Sequence, residues 1–139
     1  SCSLVGSEMC IRDSYESKDF YTWAIAWRED EGNVIGSIAV PQLNQKAGRV
    51  TVGYCLGRKW WGNGIMKEAF AELIRFFFEV EGANRVEALH DTRNVNSGKV
   101  MMACGLKKEG TLRQYGWNNQ GICDECIYGM VASDYFEGK

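Results

Sequence analysis

Two glycines, Gly62 and Gly64, stand in the turn Trp61-Gly62-Asn63-Gly64, between a strand-like run ending at Leu56 and an apolar-periodic stretch opening at Ile65. A glycine lets backbone approach a ligand closely because no Cβ intervenes. The first amides of a helix attract anions, phosphate above all. No Ser, Thr or Asp is placed to cap this helix, so its first amides are expected to hold a diphosphate-bearing cofactor. A dinucleotide fingerprint is excluded: the third glycine is missing, and His90 stands at the end of the next strand where an acidic residue would be needed. A nucleoside-triphosphate loop is excluded too, because no Gly-Lys-Ser/Thr follows.

Further polar candidates lie downstream. Asn94 and Ser97 open a short helix, where Asn94 could cap the helix or bind a ligand with the same side-chain chemistry. Six cysteines invite a metal or disulfide reading, but only Cys123 and Cys126 have CxxC spacing and His90 is the one histidine. Those two cysteines fall in a strand-like run, where i and i+3 side chains point to opposite faces. The thiols are therefore expected to be free, in a reducing cytosol, with no metal site; a CxxC redox or metal protein is the minor alternative. A net charge of −2 argues against a nucleic-acid binder working through bulk charge, although Arg58, Lys59, Lys67 and Lys99 could form a local basic patch. No apolar run is long enough for a membrane span.

The elements that must position these residues can be read from periodicity. At 139 residues, 45% apolar and 24% charged, the chain has the length and composition of one globular domain. Tyr21–Trp27 and Val34–Val40 read as a hairpin about a Glu31-Gly32-Asn33 turn, followed by a polar loop over Pro41–Gly48. Arg49–Leu56 is a third strand with Val50, Val52 and Tyr54 on one face, and Gly53 within it suggests a bulge or a close backbone approach. A helix is predicted from about Ile65 to Val80, with Met66, Ala69, Phe70, Leu73, Phe77 and Val80 facing a sheet, Phe76 and Phe78 widening that stripe, and Gly82 ending it. Arg85–His90 is a short strand, and the strand-helix-strand order predicts a parallel pair with a right-handed crossover. A short helix follows Asn94–Ser97, with Val100, Met101 and Cys104 on one face and Gly105 at its end. Lys107–Trp117 and Ile122–Val131 read as a closing antiparallel pair around Asn118-Asn119-Gln120-Gly121. Residues 1–14 show no clear strand or helix period and are expected to be a foreign junction, with one domain over 15–139.

Taken together, these residues resemble the GNAT superfamily of N-acetyltransferases, and within it the ribosomal-protein-acetyltransferase-like (RimJ/RimL-type) branch. The family's cofactor loop, Gln/Arg-x-x-Gly-x-Gly/Ala, is matched by Lys59-Trp60-Trp61-Gly62-Asn63-Gly64, with Lys in place of Gln or Arg. Gly53-Tyr54, Glu68-Ala69, Asn94-x-x-Ser97, Gly105-Leu106, Glu109-Gly110, Gly121, Asp124, Tyr128 and Asp134-Tyr135 extend the match over about residues 15–137. The resemblance implies an α/β (α+β) fold: a mixed, mostly antiparallel sheet with a central parallel pair and flanking helices. The family begins with another strand and one or two helices. Here only the tail of the last helix, about Ile11–Lys18, is matched, so part of the N-terminal region and of the acceptor wall is expected to be missing.

The resemblance implies acetyl-CoA as cofactor and a primary amine as acceptor: a protein or peptide N-terminus, or a small molecule. The amides of Gly62, Asn63, Gly64 and Ile65 would hold the pyrophosphate. Lys59 would add charge there or be a solvated surface lysine. Trp60 and Trp61 would cover the cofactor or simply pack. The backbone of Tyr54, Cys55 and Leu56 would pair with the pantetheine, one amide polarising the thioester carbonyl, and Asn94 would bond the same arm. Ser97 matches a position that can protonate the departing thiolate; the plainer alternative is a first-turn helix serine. A general base is needed to give a neutral amine. Arg49–Leu56 holds no carboxylate, which leaves Glu87 and His90 as substitutes. The expected protein is a cytoplasmic N-acetyltransferase, monomer or homodimer. A catalytically inactive acyl-CoA-binding module is the alternative.

Overall fold

The computed structural model describes residues 2–6, 21–27 and 30–138, and among these residues it forms seven strands and three α-helices. The strands are β1 (Cys2–Gly6), β2 (Tyr21–Trp27), β3 (Asp30–Asn44), β4 (Arg49–Leu56), β5 (Arg85–Asp91), β6 (Lys107–Asn118) and β7 (Gly121–Val131). The helices are α1 (Ile65–Arg75), α2 (Val95–Ala103) and α3 (Ala132–Glu137). One sheet holds all the strands in the order β1-β2-β3-β4-β5-β7-β6. Every neighbouring pair is antiparallel except β4 and β5, which are parallel and joined through α1. This is the mixed sheet with a central parallel pair that the sequence predicts.

The core forms where α1 lies on the sheet. Ile65, Met66, Ala69, Phe70, Leu73 and Ile74 are buried along α1, against Ile25, Ile38, Val50 and Val52 of the strands. Phe70 meets the Tyr54 ring at 5.6 Å, which puts Val50, Val52 and Tyr54 on the helix-covered face. Phe70 is fully buried, so Phe70→Ala is expected to cost about 3–5 kcal/mol. α2 lies over the same face, with Gly98 against His90 of β5 and Tyr128 of β7. On the other face Thr51 donates to Glu87 at 2.9 Å, and Arg85 reaches both Glu87 and Glu109.

Several sequence expectations are corrected. Cys2–Gly6 pairs with β2 as an edge strand, although the first 14 residues show no such period. Ile11–Lys18 lies outside the described residues. Glu31-Gly32-Asn33 is not the hairpin turn: β3 begins at Asp30, and the register slips between Ala26 with Val34 and Trp27 with Asp30. Pro41–Gly48 is not all loop, because β3 continues to Asn44 and only residues 45–48 turn. Proline survives in the strand because it falls at a bulge. Ala39 pairs with Gly53 and Gln42 with Thr51, so Val40 and Pro41 together oppose Val52, and no ladder N–H is demanded of Pro41. The irregularity expected at Gly53 is therefore carried by its partner strand.

The long helix also changes character. After Arg75 it widens to a π-helical segment, Phe76–Val80, with Glu81 N–H bonded to Phe76 O at 3.1 Å. The wider turn takes Val80 off the buried stripe, leaving it 60% exposed, and buries Phe78 instead. Gly82, at φ 69°, ends the segment as expected.

Candidate functional site

The β4–β5 ladder is short. Its last pair is Val52 with Ala88, yet β4 runs on to Leu56 and β5 to Asp91. On its other side β4 stays paired with β3 to the end, Tyr54 with Ile38, Cys55 with Ser37 and Leu56 with Gly36. Among the described residues, Tyr54–Leu56 therefore presents one backbone edge with no strand beside it. Backbone groups seek partners, and an extended amide chain is the partner such an edge fits.

Directly past that edge, Arg58–Trp60 make a single 3-10 turn and the chain enters α1 through Gly62 and Gly64. Both glycines have φ near 75°, 79° for Gly62 and 73° for Gly64, a conformation that side chains resist. Among the described residues, apart from the chain neighbours, no atom lies within 4 Å of where a Cβ would stand on either. Gly64 is the N-cap of α1, and no side chain caps the helix. The chemistry thus fits a phosphate group: the positive end of an eleven-residue helix with no side-chain cap, entered through two glycines with open space beside them.

Edge, turn and helices enclose a cleft of about 590 Å³. It brings together Tyr54, Cys55, Leu56, Trp61, Gly62, Gly64 and Ile65 from the β4–α1 side with Asn94 and Ser97 from α2. Trp60 lines it too. Trp61 is fixed by its indole N–H, which donates to Leu56 O at 2.8 Å. Lys59 and Asn63 do not line it. Lys59 Nζ lies over the Trp60 ring at 5.1 Å, and the Asn63 amide turns back to the carbonyls of Trp60 and Trp61 at 3.2 Å. The cleft's cations are instead Lys67 and Lys99, with no acidic residue among its described lining. Of the four residues that sequence offers as a basic patch, Lys67 and Lys99 converge here from different helices, whereas Arg58 and Lys59 do not line the cleft.

Asn94 caps α2, its side-chain oxygen accepting from Ser97 N–H at 3.3 Å. Ser97 in turn lies beside Tyr54: the Tyr54 hydroxyl is 2.9 Å from Ser97 Oγ and donates to Ser97 O at 3.1 Å. Burial pushes the Tyr54 hydroxyl up to about 12, against the smaller opposing effect of the Ser97 hydrogen bond. Tyr54 therefore stays protonated at any ordinary pH. Cys104, behind α2, has its thiol raised to about 11 by burial and donates to Lys67 O at 3.4 Å.

The two base candidates from sequence are not brought to this cleft. Glu87 is buried on the opposite face, bonded to Thr51 and Arg85. His90 is buried on the helix side, with Nδ1 2.6 Å from Asp91 O. A carbonyl can only accept, so Nδ1 carries the hydrogen. Nε2 faces Gly98 and Tyr128 without a hydrogen-bond partner. Cys123 and Cys126 are both buried free thiols on β7. Cys126 packs beside Thr111 at 3.8 Å and Cys123 beside Asn118 at 3.7 Å.

Comparison with known proteins bears on this site. Residues 5–107 match the model of the acetyltransferase (GNAT) domain family. An uncharacterized N-acetyltransferase of Bacillus subtilis, YoaA, is 32% identical over 117 residues, covering 84% of this chain and 66% of the relative. The [ribosomal protein uS5]-alanine N-acetyltransferase of Escherichia coli is 28% identical over 88 residues, covering 63% of this chain and 45% of its own length. The chain thus spans less than two thirds of either relative. Among solved structures, a RimL ribosomal L7/L12 α-N-protein acetyltransferase in complex with coenzyme A superposes with a TM-score of 0.77 at 16% identity. That match covers 91% of this chain and 70% of the other.

Proposed function

We propose, for a chain that belongs to the GNAT acetyltransferase family, that the cleft between β4, α1 and α2 holds acetyl-CoA and that the protein passes its acetyl group to a primary amine. One observation carries this reading: the open edge of β4 leads straight into an uncapped helix N-terminus. A pantetheine arm needs a strand-like partner and a pyrophosphate suits the positive end of a helix, and the two follow one another along a single wall.

Bound acetyl-CoA supplies an activated acyl group. The chain's own residues do the rest. The amides from Gly62 to Gly64 hold the diphosphate, and Lys67 and Lys99 add positive charge at the rim. The backbone of Tyr54–Leu56 aligns the arm and turns an amide toward the thioester oxygen. The Ser97 hydroxyl gives a proton to the departing sulfur, and Tyr54, held protonated by burial, keeps that hydroxyl in place. Asn94 fixes the first turn of α2 on which Ser97 is mounted.

A protein or peptide N-terminus is the favoured acceptor, supported by relatives named for ribosomal-protein alanine acetylation; a small amine is the other class. The free thiols suit a reducing compartment such as the cytoplasm. No helix among the described residues is long and apolar enough to cross a membrane.

Thiol release from acetyl-CoA, measured with peptides bearing a free α-amine, with the same peptides blocked, and with small polyamines, tests the reading. Release should require a free amine, and the product should gain one acetyl group by mass. Binding of acetyl-CoA without turnover on any acceptor would make the protein a silent acyl-CoA-binding module. No binding would overturn the reading altogether.

A further inference from the structure

We propose that Glu125 of β7 is the carboxylate that takes the proton from the acceptor amine. The inference rests on the acetyl-transfer reading above and supplies the group that reading lacks.

The cofactor cleft lies on the helix-covered face of the sheet. With α1 and α2 filling that face, an acceptor reaches the open edge of β4 from the other side, through the gap left where the β4–β5 ladder stops at Val52 and Ala88. A base must therefore stand on that other face, near the free end of β5. Strand alternation puts Asp91 and Glu125 there. They pair directly across β5 and β7, next to His90 with Cys126, whose side chains belong to the helix side.

Five acidic residues lie on β5, β6 and β7, and four are engaged. Glu87 bonds Thr51 and Arg85. Glu109 is bidentate to Arg85 at 2.7 and 2.9 Å. Asp91 takes the Arg93 side chain and backbone together with Asn118, which hold its carboxyl well below the usual range. Asp124 accepts from Gln114 N–H at 2.7 Å. Among the described residues, no hydrogen bond or ion pair holds Glu125. A base must be free to accept, and Glu125 is the one of the five that is.

The strand beside it is shaped around this carboxylate. β6 pairs Leu112 with Glu125 and then next Gly116 with Cys123, so residues 113–115 bulge out opposite Asp124, beside Glu125. Gln114 sits in that bulge at φ 52°, a conformation a non-glycine residue adopts at a cost. A Cβ on Gly116 would overlap the Glu125 carboxylate, so glycine at 116 is what lets the carboxylate lie there. Partial burial and the nearby Asp91 charge raise the Glu125 carboxyl above its ordinary value, while His90 opposes the shift slightly. Asp91 and His90 of β5 are the titratable groups that bear on it. A raised carboxylate is a stronger base at neutral pH.

The protons balance as follows. The ammonium gives one proton to Glu125, which is partly exposed and returns it to solvent. The nitrogen lone pair forms the C–N bond, and the C–S bond breaks with its electron pair on sulfur. The nitrogen loses its second surplus proton to Glu125, while sulfur takes one from Ser97, which is resupplied by solvent. One proton is released overall.

Glu125→Gln tests this, with acetyl-CoA binding and turnover measured on the same preparations. Binding should match wild type, showing the variant folded, while kcat falls on the order of 100-fold or more and the acidic limb of the pH–rate profile disappears. A weakly basic amine, already neutral at the assay pH, should lose much less rate. Gly116→Ala should lower kcat by displacing the carboxylate, and should add little on top of Glu125→Gln. Wild-type kcat and an unchanged pH profile in Glu125→Gln would overturn the assignment while leaving acetyl transfer intact. A wild-type protein without turnover would instead overturn the underlying reading, and this assignment with it.

Discussion

The Tyr54 hydroxyl lies 2.9 Å from Ser97 Oγ, joining the open end of β4 to the first turn of α2 across the floor of the cleft. Two residues far apart in sequence thus meet where the proposed function puts the thioester sulfur. The arrangement has measurable consequences.

Ser97→Ala removes the hydroxyl but keeps the helix. Acetyl-CoA affinity should hardly change, while turnover drops by about 10- to 100-fold, toward the low end for loss of a proton donor. Steady-state kinetics beside a binding titration separates the two. A turnover equal to wild type would return Ser97 to a structural role.

Tyr54→Phe should lose about 1 kcal/mol of stability through the missing hydrogen bond. The folded hydroxyl titrates near 12 and an unfolded tyrosine near 10. Its raised value means that the stabilisation it gives is whole below pH 10 and is lost as the pH rises from 10 toward 12. Urea unfolding at pH 8 and pH 11 should show wild type losing more stability than Tyr54→Phe. Equal losses would mean that Tyr54 is not buried in this way.

Gly64→Val places a branched side chain at φ 73° and over the helix amides. Acetyl-CoA binding should vanish, with a stability loss of about 1–2 kcal/mol from the left-handed backbone. Gly64→Asn, which tolerates this conformation, should spare stability and still weaken binding. Unchanged affinity in both would remove phosphate from this turn.

How much of this was legible beforehand differs residue by residue. The Gly62–Gly64 turn could be read because glycine in a strand-to-helix junction has few other uses, and α1 because its apolar period is strong. The π-helical segment could not, since Phe76-Phe77-Phe78 offers apolar side chains to any winding. The strand through Pro41 is not legible locally because its bulge depends on pairing with β4, and sequence leaves open which way Lys59 turns, its Nζ lying over the Trp60 ring. The free edge of Tyr54–Leu56 and the carboxylate over Gly116 are relations between strands, which local sequence does not encode.

Lys67→Ala and Lys99→Ala should each raise the KM for acetyl-CoA a few-fold, as expected of roughly 0.5–1 kcal/mol for a partly exposed charge pair. The acceptor's kcat should be unaffected, and the double variant should show a weaker salt dependence of KM. Lys59→Ala should do neither. A larger effect at Lys59 than at Lys67 or Lys99 would place the phosphates on the other side of the turn.

The central claim is that the β4–α1–α2 cleft binds acetyl-CoA, and a calorimetric titration of acetyl-CoA into wild type and Gly64→Val tests it most directly. The expected result is one site per chain, with a dissociation constant of roughly 1 μM to 1 mM in wild type and no measurable binding in Gly64→Val. No binding in wild type, or equal binding in both proteins, would contradict it.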